Sequence, residues 1–220
     1  MSKVLINTLF ENLSNFYEDF KCGGKSWWPA DSEFEVMVGA ILTQNTNWSN
    51  VEKAIINLKK EKLLTPKSIL KVEENYLSEI IRPSGFYNQK SKRLKSISLW
   101  FGLYEFEVEK VKRVDTLNLR NELLSISGVG PETADSILVY AFGKPSFVID
   151  SYTRRIMSRF GVDVPKKYDD FKTMVEVCIP KDLNIYDYYH GLIVEHAKNF
   201  CRKKPLCEIC PIGGVCKKIV

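Results

Sequence analysis

Four cysteines fall within the last twenty residues, Cys201, Cys207, Cys210 and Cys216, spaced C-x5-C-x2-C-x5-C. Thiols crowded in this way, in a chain without an export signal, are more often metal ligands than disulfides. Zinc modules usually pair two short Cys-X-X-Cys knuckles, and only Cys207 and Cys210 form one, so a compact four-thiolate loop suits an iron–sulfur cluster better. Cys22 and Cys178 stand apart. A second pattern is Gly128-Val129-Gly130 followed at once by Pro131. A Gly-X-Gly turn between two helices exposes backbone N–H groups beside a helix N-terminus, which suits a phosphate. Taken alone, the tripeptide reads more often as an ordinary tight helix–helix turn. A third pattern is charge: residues 82–95 hold five basic side chains and no acid, residues 151–160 hold Arg154, Arg155 and Arg159 with no acid, and residues 201–220 hold five basic side chains against Glu208. Any one run reads as a solvated helix face, whereas three fit a polyanion lying across one side.

Helices must position these groups. Phe34, Met37, Val38, Ile41 and Leu42 recur at spacings of three and four, the stripe of a half-buried helix. Ser32 with Glu35 supplies a capping box at its start, and Ser49 with Glu52 supplies another before Val51, Ala54, Ile55 and Leu58. Pro131 opens a helix at a first-turn position where its missing N–H costs nothing. Ala134, Ile137, Leu138 and Ala141 then form its stripe, closed by Gly143 and Pro145. Ile156, Met157 and Phe160 form another, ended by Gly161. Only residues 147–149 read as strand-like, so the expected fold class is all-α.

The 220 residues carry 32 basic and 27 acidic side chains, a formal net charge of +5. A chain of this length buries roughly 70% of its unfolded surface and needs no disulfide staples. With 45% apolar and 27% charged residues, intrinsic disorder is excluded. The longest apolar runs, such as residues 37–42, fall far short of the ~20 needed to span a bilayer. The N-terminus has no secretory signal pattern, and a cytoplasmic protein is expected.

The stretch LLSISGVGPETADSILVYAFGKPSFVID resembles the helix-hairpin-helix, Gly/Pro-rich loop and aspartate signature of the DNA glycosylases related to endonuclease III. LTQNT (residues 42–46) resembles that family's first DNA-facing loop, SGFYNQK (residues 84–90) its intercalating loop, and the terminal cysteines its 4Fe–4S loop. Trp27-Trp28-Pro29 and Arg82-Pro83 bring the 3-methyladenine DNA glycosylase III branch closest. The resemblance covers nearly the whole chain and implies two helical lobes with a DNA-binding cleft between them. One lobe is a helical barrel over residues 27–145 that carries the hairpin. The other is a discontinuous cluster lobe of residues 1–26 and 146–220, with its cysteine loop at 201–216. The first cysteine gap is one residue shorter than in endonuclease III.

The resemblance also implies roles. Base excision cleaves an N-glycosidic bond through a sugar that becomes cationic, and a carboxylate beside it can stabilise that charge and orient a water. Asp150 matches the family's catalytic aspartate, and Asp before Ser151-Tyr152-Thr153 is also a good helix N-cap. Glu132 stands where bifunctional members carry the lysine that attacks the sugar. A glutamate forms no Schiff base, so a monofunctional enzyme is expected, with Glu132 recognising the base. Trp27, Trp28 and Trp48 would line the pocket for an extruded base, by stacking and by a cation–π contribution for a methylated purine. Gln44 matches the hole-filling glutamine, and Phe86 falls where an apolar wedge is expected. Gly128, Val129 and Gly130 would grip a phosphate, and Lys90, Lys92, Arg93 and Lys95 would anchor the phosphates around the wedge. His190 and His196 are given no catalytic role. The function expected is excision of uracil or of an alkylated purine such as 3-methyladenine from double-stranded DNA, by a monomer. A bifunctional glycosylase/lyase and a non-catalytic DNA-binding module are the alternatives.

Overall fold

The computed structural model describes residues 2–20 and 27–219. Cys22 lies outside the described residues. Among them are twelve α-helices and no strand. In order these are α1 (Ser2–Phe16), α2 (Glu33–Leu42), α3 (Trp48–Lys60), α4 (Pro66–Lys71), α5 (Glu74–Ile80), α6 (Tyr87–Gly102), α7 (Val108–Lys112), α8 (Thr116–Ser125), α9 (Pro131–Tyr140), α10 (Ser151–Phe160), α11 (Tyr168–Glu176) and α12 (Leu183–Asn199). The all-α expectation holds. The chain divides into two compact units, one of Pro29–Lys144 and one of Met1–Trp28 with Pro145–Val220.

In the first unit α2 is the central helix. The sequence pattern predicts a half-buried stripe, but Val36, Gly39 and Ala40 are buried as well, because α3, α6 and α9 all pack against it. Such all-round burial is what a helix at a core's centre requires. Ser32 caps it by accepting from the Glu35 N–H at 3.2 Å. The buried Glu35 carboxylate accepts from the Asp31 N–H and pairs with Lys59 at 2.8 Å. The expected cap at Ser49 is instead the second residue of α3, whose N-cap is Asn47, accepting from the Asn50 N–H at 3.1 Å. Either side chain is a good cap, and Asn47 sits where the backbone is still extended.

The second unit packs α1, α10 and α12 on one another. Ile6, Leu9 and Leu13 of α1 meet Tyr189, Leu192 and Ile193 of α12 and Ile156, Met157 and Phe160 of α10, all buried. The Tyr189 hydroxyl donates to the Ile6 carbonyl at 3.0 Å. Residues 147–149, read as strand-like, are extended but join no sheet. Their N–H groups go instead to α11: Phe147 donates to the Glu176 carboxylate at 2.8 Å and Ile149 to the Tyr168 hydroxyl at 3.2 Å. Buried backbone donors must find partners, and α11 supplies them where a neighbouring strand would have done so.

Candidate active site and nucleic-acid interface

Asp150 is the N-cap of α10. Its backbone is extended, and its Oδ1 accepts from the Thr153 N–H at 2.7 Å. That bond fixes one carboxylate oxygen and leaves Oδ2 facing the His190 imidazole, whose Nε2 lies 3.6 Å away. The His190 side chain is 4% exposed and that of Asp150 15%. The His190 ring sits edge-on to Trp27, with centroids 5.4 Å apart, and to Phe147 at 6.5 Å. Burial pushes the Asp150 carboxyl up, but the neighbouring His190 and the Thr153 contacts outweigh it and hold the group below its ordinary value. His190 is the residue that sequence reasoning passed over. Nothing near it in the chain marks it, since it reaches Asp150 only through the packing of α12 against α10.

The hairpin is held from below. Gly128 has φ +84, a conformation that favours glycine, and any Cβ there would meet the aliphatic part of Arg93 at 2.5 Å. Gly130 is the N-cap of α9, with Pro131 next. Gln44 ties this turn to the LTQNT loop: its Nε2 donates to the Gly128 carbonyl at 3.0 Å and to the Thr133 hydroxyl at 2.9 Å, and its Oε1 accepts from Arg93. Gln44, with one nitrogen of Arg93, therefore braces the hairpin from within. Thr133 and Arg120, which also shape this region, were not singled out from the sequence.

Lys90 corrects an expectation. It is fully buried, and its amine donates to the Leu42 carbonyl at 2.8 Å and the Ser84 carbonyl at 2.7 Å. Burial, with the Arg93 charge adding, lowers it to about 8. It pins the LTQNT loop to the SGFYNQK loop and cannot reach a phosphate. Lys95 is likewise committed, donating to the carbonyls of Ile69, Leu70 and Val72 at the end of α4. Lys92 alone of this set stays exposed, 3.9 Å from Glu74.

Phe86 stands out between them. It is 60% exposed and holds a left-handed backbone, φ +48 and ψ +29, as the N-cap of α6. A bulky residue in that conformation carries strain and exposes apolar surface, and neither serves the core. Phe86→Ala should leave thermal stability within about 0.5 kcal/mol of wild type. Excision from duplex DNA should fall about tenfold, because unstacking a base step costs a few kcal/mol and loses its filler. Single-turnover rates beside melting curves check both; unchanged excision would remove Phe86 from the interface.

The arginines of α10 also correct an expectation. Arg154 donates to the Pro165 carbonyl, Arg155 to the Cys201 carbonyl at 2.8 Å, and Arg159 to the carbonyls of Arg202 at 2.6 Å and Lys203 at 3.0 Å. Arg155 and Arg159 thus hold the C-terminal loop and Arg154 the segment after α10, so the acid-free run is not a free basic face. Cys201, Cys207, Cys210 and Cys216 line one pocket together with Ile156, Phe160, His196 and Ile212. Burial raises the Cys210 and Cys216 thiols, and the neighbouring cysteines add to it. His196 packs against this loop, its Nε2 3.4 Å from Cys210 Sγ and its Nδ1 3.3 Å from the Tyr17 hydroxyl. No three His, Cys, Asp or Glu side chains among the described residues gather closely enough to hold a metal ion.

Trp27 and Trp28 lie beside each other, ring centroids 6.0 Å apart, in the same unit as Asp150. Trp48 is the half-buried first residue of α3, and Glu132 is exposed in the first turn of α9, both in the hairpin unit.

The helical fold with a helix-hairpin-helix turn and a capping aspartate defines a class. Residues 38–181 match the HhH-GPD superfamily of base excision DNA repair proteins. The chain belongs to this family and is a DNA glycosylase of base-excision repair, of the endonuclease III superfamily. It is 53% identical over 215 residues to a protein of Methanocaldococcus jannaschii assigned to the DNA repair glycosylases, covering 96% of each chain. It is 32% identical to endonuclease III of Thermotoga maritima over 84% of this chain and 82% of that one. Among solved structures it resembles H. pylori 3-methyladenine DNA glycosylase bound to 1,N6-ethenoadenine, with TM-score 0.74, 32% identity and coverage of 86% and 97%. It shares its fold with endonuclease III in a non-covalent DNA complex, with TM-score 0.83, 23% identity and coverage of 99% and 96%. No helix among the described residues is long and apolar enough to cross a membrane.

Proposed function

We propose that this protein is a monofunctional glycosylase that extrudes one damaged base from double-stranded DNA and hydrolyses its N-glycosidic bond, with Asp150 as the catalytic carboxylate. The observation that carries the reading is the Asp150 side chain, half-buried and braced at a helix N-cap by one oxygen, with the other facing His190. A carboxylate held below its ordinary value remains an anion through the neutral range. It can stabilise the cationic sugar and orient or deprotonate the attacking water. Excision should therefore be flat from neutral pH downward and fall only below about pH 4, where an unperturbed aspartate would already be protonating.

Glu132 supports monofunctional action, because a carboxylate cannot form the Schiff base that starts strand cleavage. The preferred substrates are alkylated purines such as 3-methyladenine. That choice is supported by the likeness to a 3-methyladenine glycosylase and by the adjacent rings of Trp27 and Trp28 in the same unit as Asp150, since stacking with a cation–π contribution suits a positively charged base. Uracil is the second substrate, because the Glu132 carboxylate could accept its imide N–H. Phe86, Lys92 and the hairpin amides of residues 128–130 would meet the DNA, with the protein acting as a cytoplasmic monomer on the chromosome.

Cys201, Cys207, Cys210 and Cys216 line a single pocket and offer only sulfur, the donor set of a 4Fe–4S cluster. Such a cluster would cross-link the loop that Arg155 and Arg159 hold to α10. Protein purified without oxygen should be brown and contain iron and acid-labile sulfide; colourless protein with bound zinc would reassign the loop.

The function is tested with matched duplexes carrying one uracil or one 3-methyladenine, assayed with and without hot alkali and with borohydride present. Cutting only after alkali, with no borohydride adduct, is expected, and the duplex that is cut names the base. Cutting without alkali, or a trapped adduct, would make the enzyme a lyase. Binding without any abasic site formed would make it a recognition module.

A further inference from the structure

We infer that His190 is the positioning residue for the reaction, orienting the free Oδ2 of Asp150 and keeping that oxygen anionic while the sugar becomes cationic. The inference rests on the assignment of Asp150 as the catalytic carboxylate. Three observations carry it. Asp150 has two oxygens with different duties: Oδ1 is taken by the Thr153 N–H, so Oδ2 is the one free for chemistry, and His190 Nε2 stands 3.6 Å from it. His190 is rigidly seated, with its side chain 4% exposed and its ring edge-on to Trp27 and Phe147. Its seat in the fold is close-packed as well, because a Cβ on the neighbouring Gly191 would meet the Trp27 ring and the Phe20 ring at 2.9 Å. The imidazole is thus held where it can steer a carboxylate, and any shift of Trp27 is felt by it.

Among the described residues, other elements also frame the charge balance of the pair. From α10 the Thr153 N–H and hydroxyl favour the anion, and burial opposes it. From α12 the phenols of Tyr186 and Tyr189 are raised by burial, Tyr186 to about 12, and stay neutral over the working range. From α11 the Tyr168 hydroxyl is engaged with the Ile149 N–H and the Glu176 carboxylate with the Phe147 N–H. The first segment contributes the Trp27 ring. With His190 removed, burial faces the Thr153 contacts alone, and the Asp150 proton should be held to higher pH.

The test uses the full chain with two variants, His190→Phe, which keeps an aromatic ring against Trp27 and Phe147 without a nitrogen, and His190→Gln, which keeps a donor without the ring. Single-turnover excision is measured from acid to neutral pH on a uracil or 3-methyladenine duplex, whichever wild type cuts. Duplex binding and melting temperature are measured in parallel. His190→Phe should slow excision about tenfold at neutral pH, less than the loss of the acid–base group itself because His190 acts only through Asp150. It should also move the acid fall-off upward by about one pH unit or more, with duplex affinity unchanged. His190→Gln should recover most of the neutral rate. A His190→Phe protein that melts as wild type and keeps both the rate and the acid fall-off overturns the inference. So does a folded His190→Gln protein as slow as His190→Phe, because a donor at that position would then not restore the reaction. If His190→Phe does not fold, His190→Gln decides: an upward-shifted fall-off supports positioning, and a wild-type profile overturns it. Asp150→Asn, run beside them, separates the two readings. Inactive Asp150→Asn with wild-type His190→Phe sinks only the role of His190, whereas active Asp150→Asn sinks the catalytic assignment itself.

Discussion

Asp150→Asn should lose roughly 10²–10⁴-fold in excision rate while binding lesion-containing duplex as wild type does, because it removes the anion and keeps the shape. The magnitude is that of a positioned acid–base group. Asn is as good an N-cap as Asp, so the bond from the Thr153 N–H survives and the melting temperature should stay close to wild type. Asp150→Ala provides the contrast. It should lose the same activity and also about 1 kcal/mol of stability from the missing cap. Together the pair separates the chemical duty of this residue from its structural one, which a single substitution would confound. The measurements are single-turnover excision, a gel-shift titration on an uncleaved duplex, and thermal melts of both variants. An Asn variant that excises within a few-fold of wild type would remove Asp150 from the chemistry.

Asp135→Ala should destabilise the protein by about 3–5 kcal/mol. Asp135 lies on the buried face of α9 with its side chain 0% exposed, and both its oxygens meet Arg120 of α8: Oδ1 to Nε at 2.8 Å and Oδ2 to Nη2 at 3.1 Å. The two helices that flank the Gly128-Val129-Gly130 turn are therefore clamped by a bidentate pair. Removing the carboxylate takes the bidentate acceptor from a guanidinium that is only 16% exposed. The cost is that of breaking a largely buried ion pair, well above the worth of an exposed one. At ~2–4 °C per kcal/mol for a chain of this size, the melting temperature should fall by roughly 6–20 °C. Duplex affinity should fall with it, since the clamp holds the turn that is proposed to meet the phosphate. Arg120→Met combined with Asp135→Leu should recover most of the stability, because an apolar pair of similar volume avoids the desolvation altogether. Calorimetric melting of the three proteins decides the matter, and an Asp135→Ala loss below about 1 kcal/mol would show that the pair is not a clamp.

What the sequence determined by itself was local. The helices, the Ser32 and Asp150 caps, the Gly128 turn and the grouping of four thiols all depend on residues within a few positions of one another. Their physical causes, side-chain periodicity, capping hydrogen bonds and left-handed glycine, are therefore written along the chain. Even here neighbours competed: Asn47 took the cap that Ser49 and Glu52 resemble, and residues 147–149 stayed out of any sheet because α11 satisfied their N–H groups. The destination of each long polar side chain was decided by the tertiary structure alone. Lys90, Lys95, Arg155 and Arg159 look alike as sequence, a basic residue in an acid-free run. Their donors end on the carbonyls of Leu42 and Ser84, of the α4 terminus, and of residues 201–203, because the fold brings those carbonyls within reach, and at Leu42 and Ser84 a buried carbonyl that has lost its water must be given a donor. His190 belongs to the same class. Its partner Asp150 lies two helices earlier in the chain, and only the packing of α12 on α10 brings an imidazole to the free oxygen of a capping aspartate.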